Sequence, residues 1–382
     1  MSVPDPVADG RVVCMRILTA PDKFKGSLTA VEAAEAIERG WGEVMPGAIF
    51  DRACLADGGE GTVDVFSSWD GAEMRRADVC DALGRALFAE YVWVPGERLA
   101  VIEMSAASGL AKIPESERDI LRSTTFGTGQ LVLDAMAQGP ATVAVGLGGS
   151  ATNDGGVGLA SALGWRFQDR LGRDMEPTPR TLCEIAGIVP PDRRAAAKIL
   201  ALSDVKNPLL GARGCSRVYG PQKGATEEEI GMLELHLEHF ADVCEKTFGT
   251  SHRDTPGAGA AGGLGFGLLT FCGAEILSGF DWIAGRLGLE ARVAACDLVI
   301  TGEGSIDSQT IEGKGPGALA ALAKKHGKPC IAFAGRVEMP APEIFSRCVS
   351  IGDPAIGLAD NLARGAQSLR AAAIKVARSL SS

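Results

Sequence analysis

Three short glycine-rich segments of this 382-residue chain carry carboxylates where packing gives little reason for them. Asp57 lies in Ala56-Asp57-Gly58-Gly59-Glu60-Gly61-Thr62, and Asp154 lies in Gly146–Gly158 (GLGGSATNDGGVG) beside Ser150, Thr152 and Asn153. Glu303 and Asp307 stand in Gly302–Gln309. Glycine lets a backbone turn sharply or approach a ligand closely, and short polar side chains suit an oxygen-rich ligand. Taken singly, each segment is explained as well by a tight turn with capping residues. Together with Lys25, Lys223 and Lys314 they supply the parts of phosphoryl transfer: Mg²⁺ ligands, cations for the transferred group and a group to orient the acceptor hydroxyl. No Walker A loop is present, because neither Gly313-Lys314 nor Gly327-Lys328 has the required flanking Gly and Ser/Thr. Gly257-x-Gly259-x-x-Gly262 has dinucleotide-fingerprint spacing but follows the polar, Pro-ending stretch Ser251–Pro256 where that motif needs a strand.

Each acidic segment follows an apolar run of strand character. Met15–Ala20 reads as a strand, Pro21–Ser27 as the loop after it, and Thr29 with Glu32 as a capping box opening a helix. Strand, loop and helix N-terminus form an expected anion site, with Lys25 and Ser27 adding donors. Ile49–Leu55 leads to Asp57 and a helix over Val63–Trp69, and Ala141–Val145 leads to the Asp154 loop. Ile199–Val205 carries Asp204 toward Asn207, and Lys223 sits on a turn before a helix opened by Thr226 and Glu229. Asp297–Thr301 leads to Glu303 and Asp307, with a helix over Pro316–His326 beyond. Pro329–Ala334 and Val349–Ile351 are further strands, and Ala359–Leu380 is a closing amphipathic helix. Glu90–Val94 and Leu99–Met104 suggest antiparallel strands, and Arg170–Arg194 a surface connection. Strand–helix alternation at both ends around a differently patterned middle predicts a discontinuous domain with an insertion. The expected division is a flexible extension over 1–14, one domain from 15–70 with 290–382, and an inserted domain over 71–289.

Composition narrows the function further. With 46% hydrophobic residues, the chain can fill two cores. A formal net charge of −10 disfavours nucleic acid and anionic membranes as partners. The ten cysteines are scattered, with no CxxC pair, which predicts buried thiols in a reducing cytoplasm. His236 and His239 share a helix face and are expected on a solvated surface, not at a metal. No apolar run has the length of a membrane span, and no secretory signal pattern opens the sequence. Homo-oligomer formation is left open.

Eight motifs in order carry a resemblance to a known family: APDKFKGSL (20–28), ADGGEGT (56–62), IEMSAASGL (102–110), GLGGSATNDGG (146–156), DVKNPL (204–209), GPQKGA (220–225), PGAGAAGGLG (256–265) and TGEGSIDSQT (301–310). The chain resembles the bacterial class I glycerate kinases of the glycerate 2-kinase type, from Met15 to about Gly335. Lys23 stands where a small polar residue is common, and Ser203 where Cys is common. The resemblance implies transfer of the ATP γ-phosphoryl group to D-glycerate with Mg²⁺, giving 2-phosphoglycerate. It also implies a discontinuous Rossmann- or flavodoxin-like parallel-sheet domain and an inserted mixed α/β domain, with the active site in the cleft between them.

Residue chemistry then suggests roles within these motifs. Asp154 is expected to orient or deprotonate the acceptor hydroxyl, with Asp57 and Lys25 as further catalytic candidates; Asp57, Glu303 and Asp307 are candidate metal ligands. Ser27, Gly58, Gly59, Gly149, Ser150, Thr152, Asn153, Asn207, Lys223, Gly259, Gly262, Gly302, Gln309 and Lys314 are candidates for holding substrate or phosphate. GLGGSA also resembles the phosphate loop of the galactokinase–homoserine kinase superfamily, which the other seven motifs do not fit. A non-catalytic sensor of a small acid or phosphate is the alternative of a different class, but it leaves the carboxylate loops unexplained.

Overall fold

The computed structural model describes residues 14–192, 197–307, 310, 315–338 and 340–381. The predicted extension therefore lies outside the described residues, except for the exposed Cys14. The chain separates into two compact units, residues 1–56 with 280–382 and residues 57–279.

In the first unit, β1 (Arg16–Thr19), β2 (Ile49–Arg52), β12 (Leu298–Ile306), β13 (Cys330–Val337) and β14 (Arg347–Ser350) form one sheet, all parallel. The order β14-β13-β12-β1-β2 is that of a flavodoxin-like sheet. Its strands are apolar on both faces, and their alternation sorts them into two cores. Ile17, Ile300, Ile331 and Phe333 pack with Ile37, Trp41, Leu369 and Val376 of the helices Ala30–Gly42 and Gly365–Ser381. Leu18, Val299, Ala332 and Ala334 pack the other way, against Leu289, Val293 and Leu319. Each Val, Leu, Ile or Phe among them contributes about 1.5–3 kcal/mol on full burial. The helices Ala30–Gly42 and Gly365–Ser381 cross closely at Gly40, where a Cβ would stand 2.5 Å from the Arg370 carbonyl oxygen.

The second unit contains β3 (Glu73–Cys80), β4 (Ala86–Val94), β5 (Leu99–Glu103), β6 (Thr142–Gly146), β10 (Lys198–Leu202) and β11 (Glu275–Leu277). They form a mixed sheet in the order β11-β10-β6-β5-β4-β3, parallel from β5 to β11 and antiparallel from β3 to β5. A small antiparallel sheet of β7 (Arg166–Gln168), β8 (Asp174–Met175) and β9 (Gly187–Val189) runs through the stretch read as a surface connection. Leu182 and Ile185 of that stretch are buried with Trp165, Phe167, Phe240 and Phe271 in a largely aromatic core, which a wholly solvent-exposed connection could not do. The two histidines are also anchored: His236 Nδ1 lies 2.9 Å from the Pro179 oxygen and His239 Nε2 lies 2.8 Å from that of Ile185. They fasten the 179–185 segment to the helix Glu227–Phe248 and are not solvated on its surface.

The unit junctions fall at 56/57 and 279/280, away from the expected 70/71 and 289/290. Packing explains both shifts. The Val63 N–H in the helix Thr62–Ser67 donates to Glu103 Oε1 on β5 (2.8 Å), which binds that helix to the second unit. Phe280 and Leu289 are buried in the first unit's core.

Candidate active site

In the second unit, the loops that carry the motifs leave the carboxyl ends of β5, β6 and β10 and interlock. The Leu110 N–H donates to the Gly149 oxygen (2.8 Å) and the Ala151 N–H to the Ser108 oxygen (2.9 Å). Asp57 opens a tight turn in which its Oδ1 accepts the Gly59 N–H (2.9 Å). That turn lies directly on the next loop: a Cβ on Gly146 would stand 2.2 Å from the Gly58 oxygen, and one on Gly148 would stand 2.4 Å from Gly59 Cα. Gly58 itself has φ +84° and no room beside the Leu202 oxygen, at 2.8 Å. A Cβ on Gly262 would stand 1.9 Å from the Thr152 oxygen, and one on Gly259 would stand 2.2 Å from the Pro208 oxygen. Gly58, Gly259 and Gly262, expected to admit a ligand, therefore admit other backbone, while Gly149 faces the side chains of Ser105 and Glu60.

Asp154 follows the same logic. It is fully buried. Its Oδ2 accepts from the Thr125 N–H (2.8 Å), the Thr125 hydroxyl (2.9 Å) and the Gly158 N–H (3.2 Å), and its Oδ1 from the Gly156 N–H (3.0 Å). Burial pushes its pKa up, while these four donors pull the other way. Orienting an acceptor hydroxyl requires an accessible oxygen, and this carboxylate has none. It ties the loop to the start of the helices Phe126–Ala137 and Val157–Ala162.

Lys223 is likewise internal, 2% exposed, with Nζ donating to the Thr152 oxygen at 2.7 Å. Burial lowers its pKa to about 8, against the opposing pull of Cys215 and Asp154. The Thr152 hydroxyl donates to the Ala261 oxygen (3.3 Å) and the Asn153 amide to Ser216 Oγ (3.0 Å). Asn207 is spent on the Arg213 oxygen (2.7 Å) and the Tyr219 hydroxyl (2.8 Å). These expected substrate contacts form the frame under the loop. Ser150 is buried at the bridge to Gly109, and Asp57 keeps a half-buried carboxylate.

A cavity of about 450 Å³ opens beside this frame, lined by Glu60, Glu103, Ser105, Arg76 and Lys112. Sequence reasoning had not singled out Glu103 or Ser105. The available signal was an acidic residue ending a strand, followed by the small-residue run Ser105–Ser108.

In the first unit, loops from the ends of β1 and β12 meet. The Asp22 N–H donates to the Gly302 oxygen (2.8 Å), and a Cβ on Gly304 would stand 3.2 Å from the Lys25 backbone nitrogen. Gly302 is confined by the Phe333 oxygen, 2.5 Å from where its Cβ would be. The helix opened by Thr29 is already capped, because Thr29 and Glu32 satisfy each other's N–H groups. Ser27 donates its hydroxyl to the Leu362 oxygen at 2.7 Å. The expected anion site therefore loses Ser27 as a donor and keeps the exposed cation Lys25. Glu303 and Asp307, four residues apart on extended chain, both engage Thr310: its hydroxyl donates to Glu303 Oε1 (3.0 Å) and accepts the Asp307 N–H (3.2 Å). Gln309 and Lys314 lie outside the described residues.

Among the described residues no three His, Cys, Asp or Glu side chains form a ready-made metal cage. Two hard carboxylates nevertheless suit Mg²⁺, which keeps several waters and is otherwise held by substrate phosphates. Glu303 and Asp307 carry carboxylates of that kind on either side of the end of β12.

A parallel-sheet unit and a mixed-sheet unit, each with acidic loops at its strand ends, define an α/β protein; in sheets of this kind ligands bind at the strand ends. Residues 17–381 match the model of the glycerate kinase family, and the chain belongs to that family. The match runs past Gly335, where the motifs had thinned. A glycerate kinase of Bacillus subtilis (strain 168) is 42% identical over 373 residues, covering 96% of this chain and 98% of that protein. The glycerate 2-kinase of Escherichia coli (strain K12) is 42% identical over 374 residues, covering 94% and 97%. A crystal structure described as a glycerate kinase 2 from Salmonella typhimurium LT2 superposes with a TM-score of 0.84 at 41% identity, covering 96% and 98%. No described helix is long and apolar enough to cross a membrane.

Proposed function

We propose that the chain transfers the γ-phosphoryl group of ATP to the C2 hydroxyl of D-glycerate, giving ADP and 2-phosphoglycerate. The observation that carries this reading is the placement of carboxylates on glycine-tight loops at the strand ends of both units, in a chain of the glycerate kinase family. The choice of the 2-position rests on the Escherichia coli relative, which is called glycerate 2-kinase.

In the reaction, the C2 oxygen bonds to the γ-phosphorus and the bond from that phosphorus to the bridging oxygen of ADP breaks. The hydroxyl proton passes to a carboxylate. We assign that carboxylate to Asp57, because its side chain is half-exposed while Asp154 is sealed. Asp154 and Lys223 are positioning residues that fix the 146–158 loop. Lys25 offsets phosphate charge. Glu303 and Asp307 would hold Mg²⁺, which supplies neutralising charge on the phosphates when bound. Ten free thiols fit a reducing cytoplasm.

The test is ADP release by the purified protein with Mg-ATP and a panel of hydroxy acids. Release that depends on D-glycerate is expected. Release that no hydroxy acid stimulates would sink the reading and favour a non-catalytic binder.

A further inference from the structure

The first unit holds a cavity of about 550 Å³ at the carboxyl edge of its sheet, reached from the ends of β1, β12, β13 and β14. This edge is the reversal point of the strand order, since β1 is flanked by β2 on one side and β12 on the other. The cavity floor has almost no side chains. Gly304, Gly335 and Gly352 follow one another across neighbouring strand ends, and a Cβ on Gly352 would stand 2.5 Å from the Gly335 oxygen. Ile351, Pro354, Ile356 and Leu358 supply an apolar wall, and Leu358 is 75% exposed. Lys25 and Arg336 stand at the rim, with Arg336 only loosely paired to Glu338 at 3.5 Å. The loop that carries the wall is held in place: Asn361 accepts the Asp353 N–H (2.8 Å) and donates to the Asp353, Ile356 and Gly357 oxygens (2.9, 3.2 and 3.2 Å).

Glycerate has an oxygen on every carbon and gains nothing from such a wall. A flat heteroaromatic base with a phosphate tail gains from all three parts: the bare floor, the apolar wall and the rim cations. The volume falls within the range of roughly 300–1,000 Å³ typical of cofactor sites. We propose that this cavity holds the base and ribose of the nucleoside triphosphate, its phosphates passing Lys25 and Gly304. The carboxylates Glu303 and Asp307 leave the same strand, β12. The proposal rests on the kinase reading and names where its donor binds.

The test uses the full chain, 8-azido-ATP cross-linking with peptide mapping, and steady-state kinetics of two charge insertions. Leu358→Asp places a carboxylate on the wall. Leu171→Asp is the control, at a leucine equally exposed at 75% in the other unit. Expected are cross-links within 336–362, a rise of tenfold or more in KM for ATP with Leu358→Asp, a KM for glycerate within twofold of wild type, and no change with Leu171→Asp. Turnover with cross-links confined to 57–279, or a Leu358→Asp KM for ATP equal to wild type, overturns the cavity assignment and leaves the kinase reading standing. Cross-links in 336–362 without glycerate-dependent turnover support the cavity and sink the kinase reading. Failure to bind ATP at all removes both.

Discussion

Replacing Lys223 by Met should change how stability depends on pH, because the native structure buries an ammonium group with a single carbonyl partner. Its pKa falls from the ordinary 10.5 to about 8. Each tenfold loss of proton affinity corresponds to about 1.4 kcal/mol, so keeping Lys223 protonated in the folded chain costs about 3 kcal/mol at pH 7. For a lysine with a lowered folded pKa, that cost is fully present below the folded value. It is relieved as pH rises from about 8 toward 10.5, where the unfolded chain still binds the proton and the native chain does not. Wild type should therefore gain about 2–3 kcal/mol relative to Lys223→Met between pH 7 and pH 10. Cys215 and Asp154 are coupled to Lys223, so their titrations shift with its removal and enter the difference alongside its own. Urea unfolding of both proteins across that range measures it. A difference that stays flat to within about 0.5 kcal/mol would show that Lys223 is solvated in solution, and the frame under the 146–158 loop would then be wrong.

Asp57→Asn should lower kcat by about 10²–10⁴-fold while the melting temperature and the KM for ATP hold, as for loss of a general base. An activity near wild type would remove Asp57 from proton transfer. Asp154→Asn should instead destabilise the protein by about 1–3 kcal/mol, because an amide keeps one acceptor oxygen and turns its NH₂ toward the donors of the other, either the Gly156 N–H or the set from Thr125 and Gly158. A variant of wild-type stability but abolished turnover would return Asp154 to the reacting centre. Ala261 has φ +54° between the glycine-rich chain segments, a left-handed conformation that costs a non-glycine residue about 1–2 kcal/mol. Ala261→Gly should raise stability by about 0.5–1 kcal/mol in thermal or urea melts, and a loss would show that the methyl group packs better than its backbone fits.

Much of the architecture was legible because apolar alternation and capping are local. β6, β12 and β13 stand where apolar runs end in glycine, β1 and β10 where they run into Ala20-Pro21 and Ser203-Asp204, and the capping boxes at Thr29 and Thr226 form as their spacing implies. Orientation was not legible, because it depends on contacts distant in sequence. Asp57 and Asp154 sit in similar glycine-rich loops, yet the Thr125 donors, 29 residues away in sequence, seal one and leave the other half-open. The same holds for the glycines. Gly262 meets Thr152 across a gap of 110 positions, so its need for a missing Cβ comes from chain packing that no local pattern shows. Ser27 read as a phosphate donor until Leu362, 335 residues on, took its hydroxyl.

Phosphorus NMR of the product formed from D-glycerate and Mg-ATP tests the central claim most directly. A new phosphomonoester signal split into a doublet by the single proton on C2 is expected. A triplet from the two C3 protons would overturn the regiochemistry, and the absence of any glycerate-dependent phosphomonoester would contradict the assignment of the reaction itself.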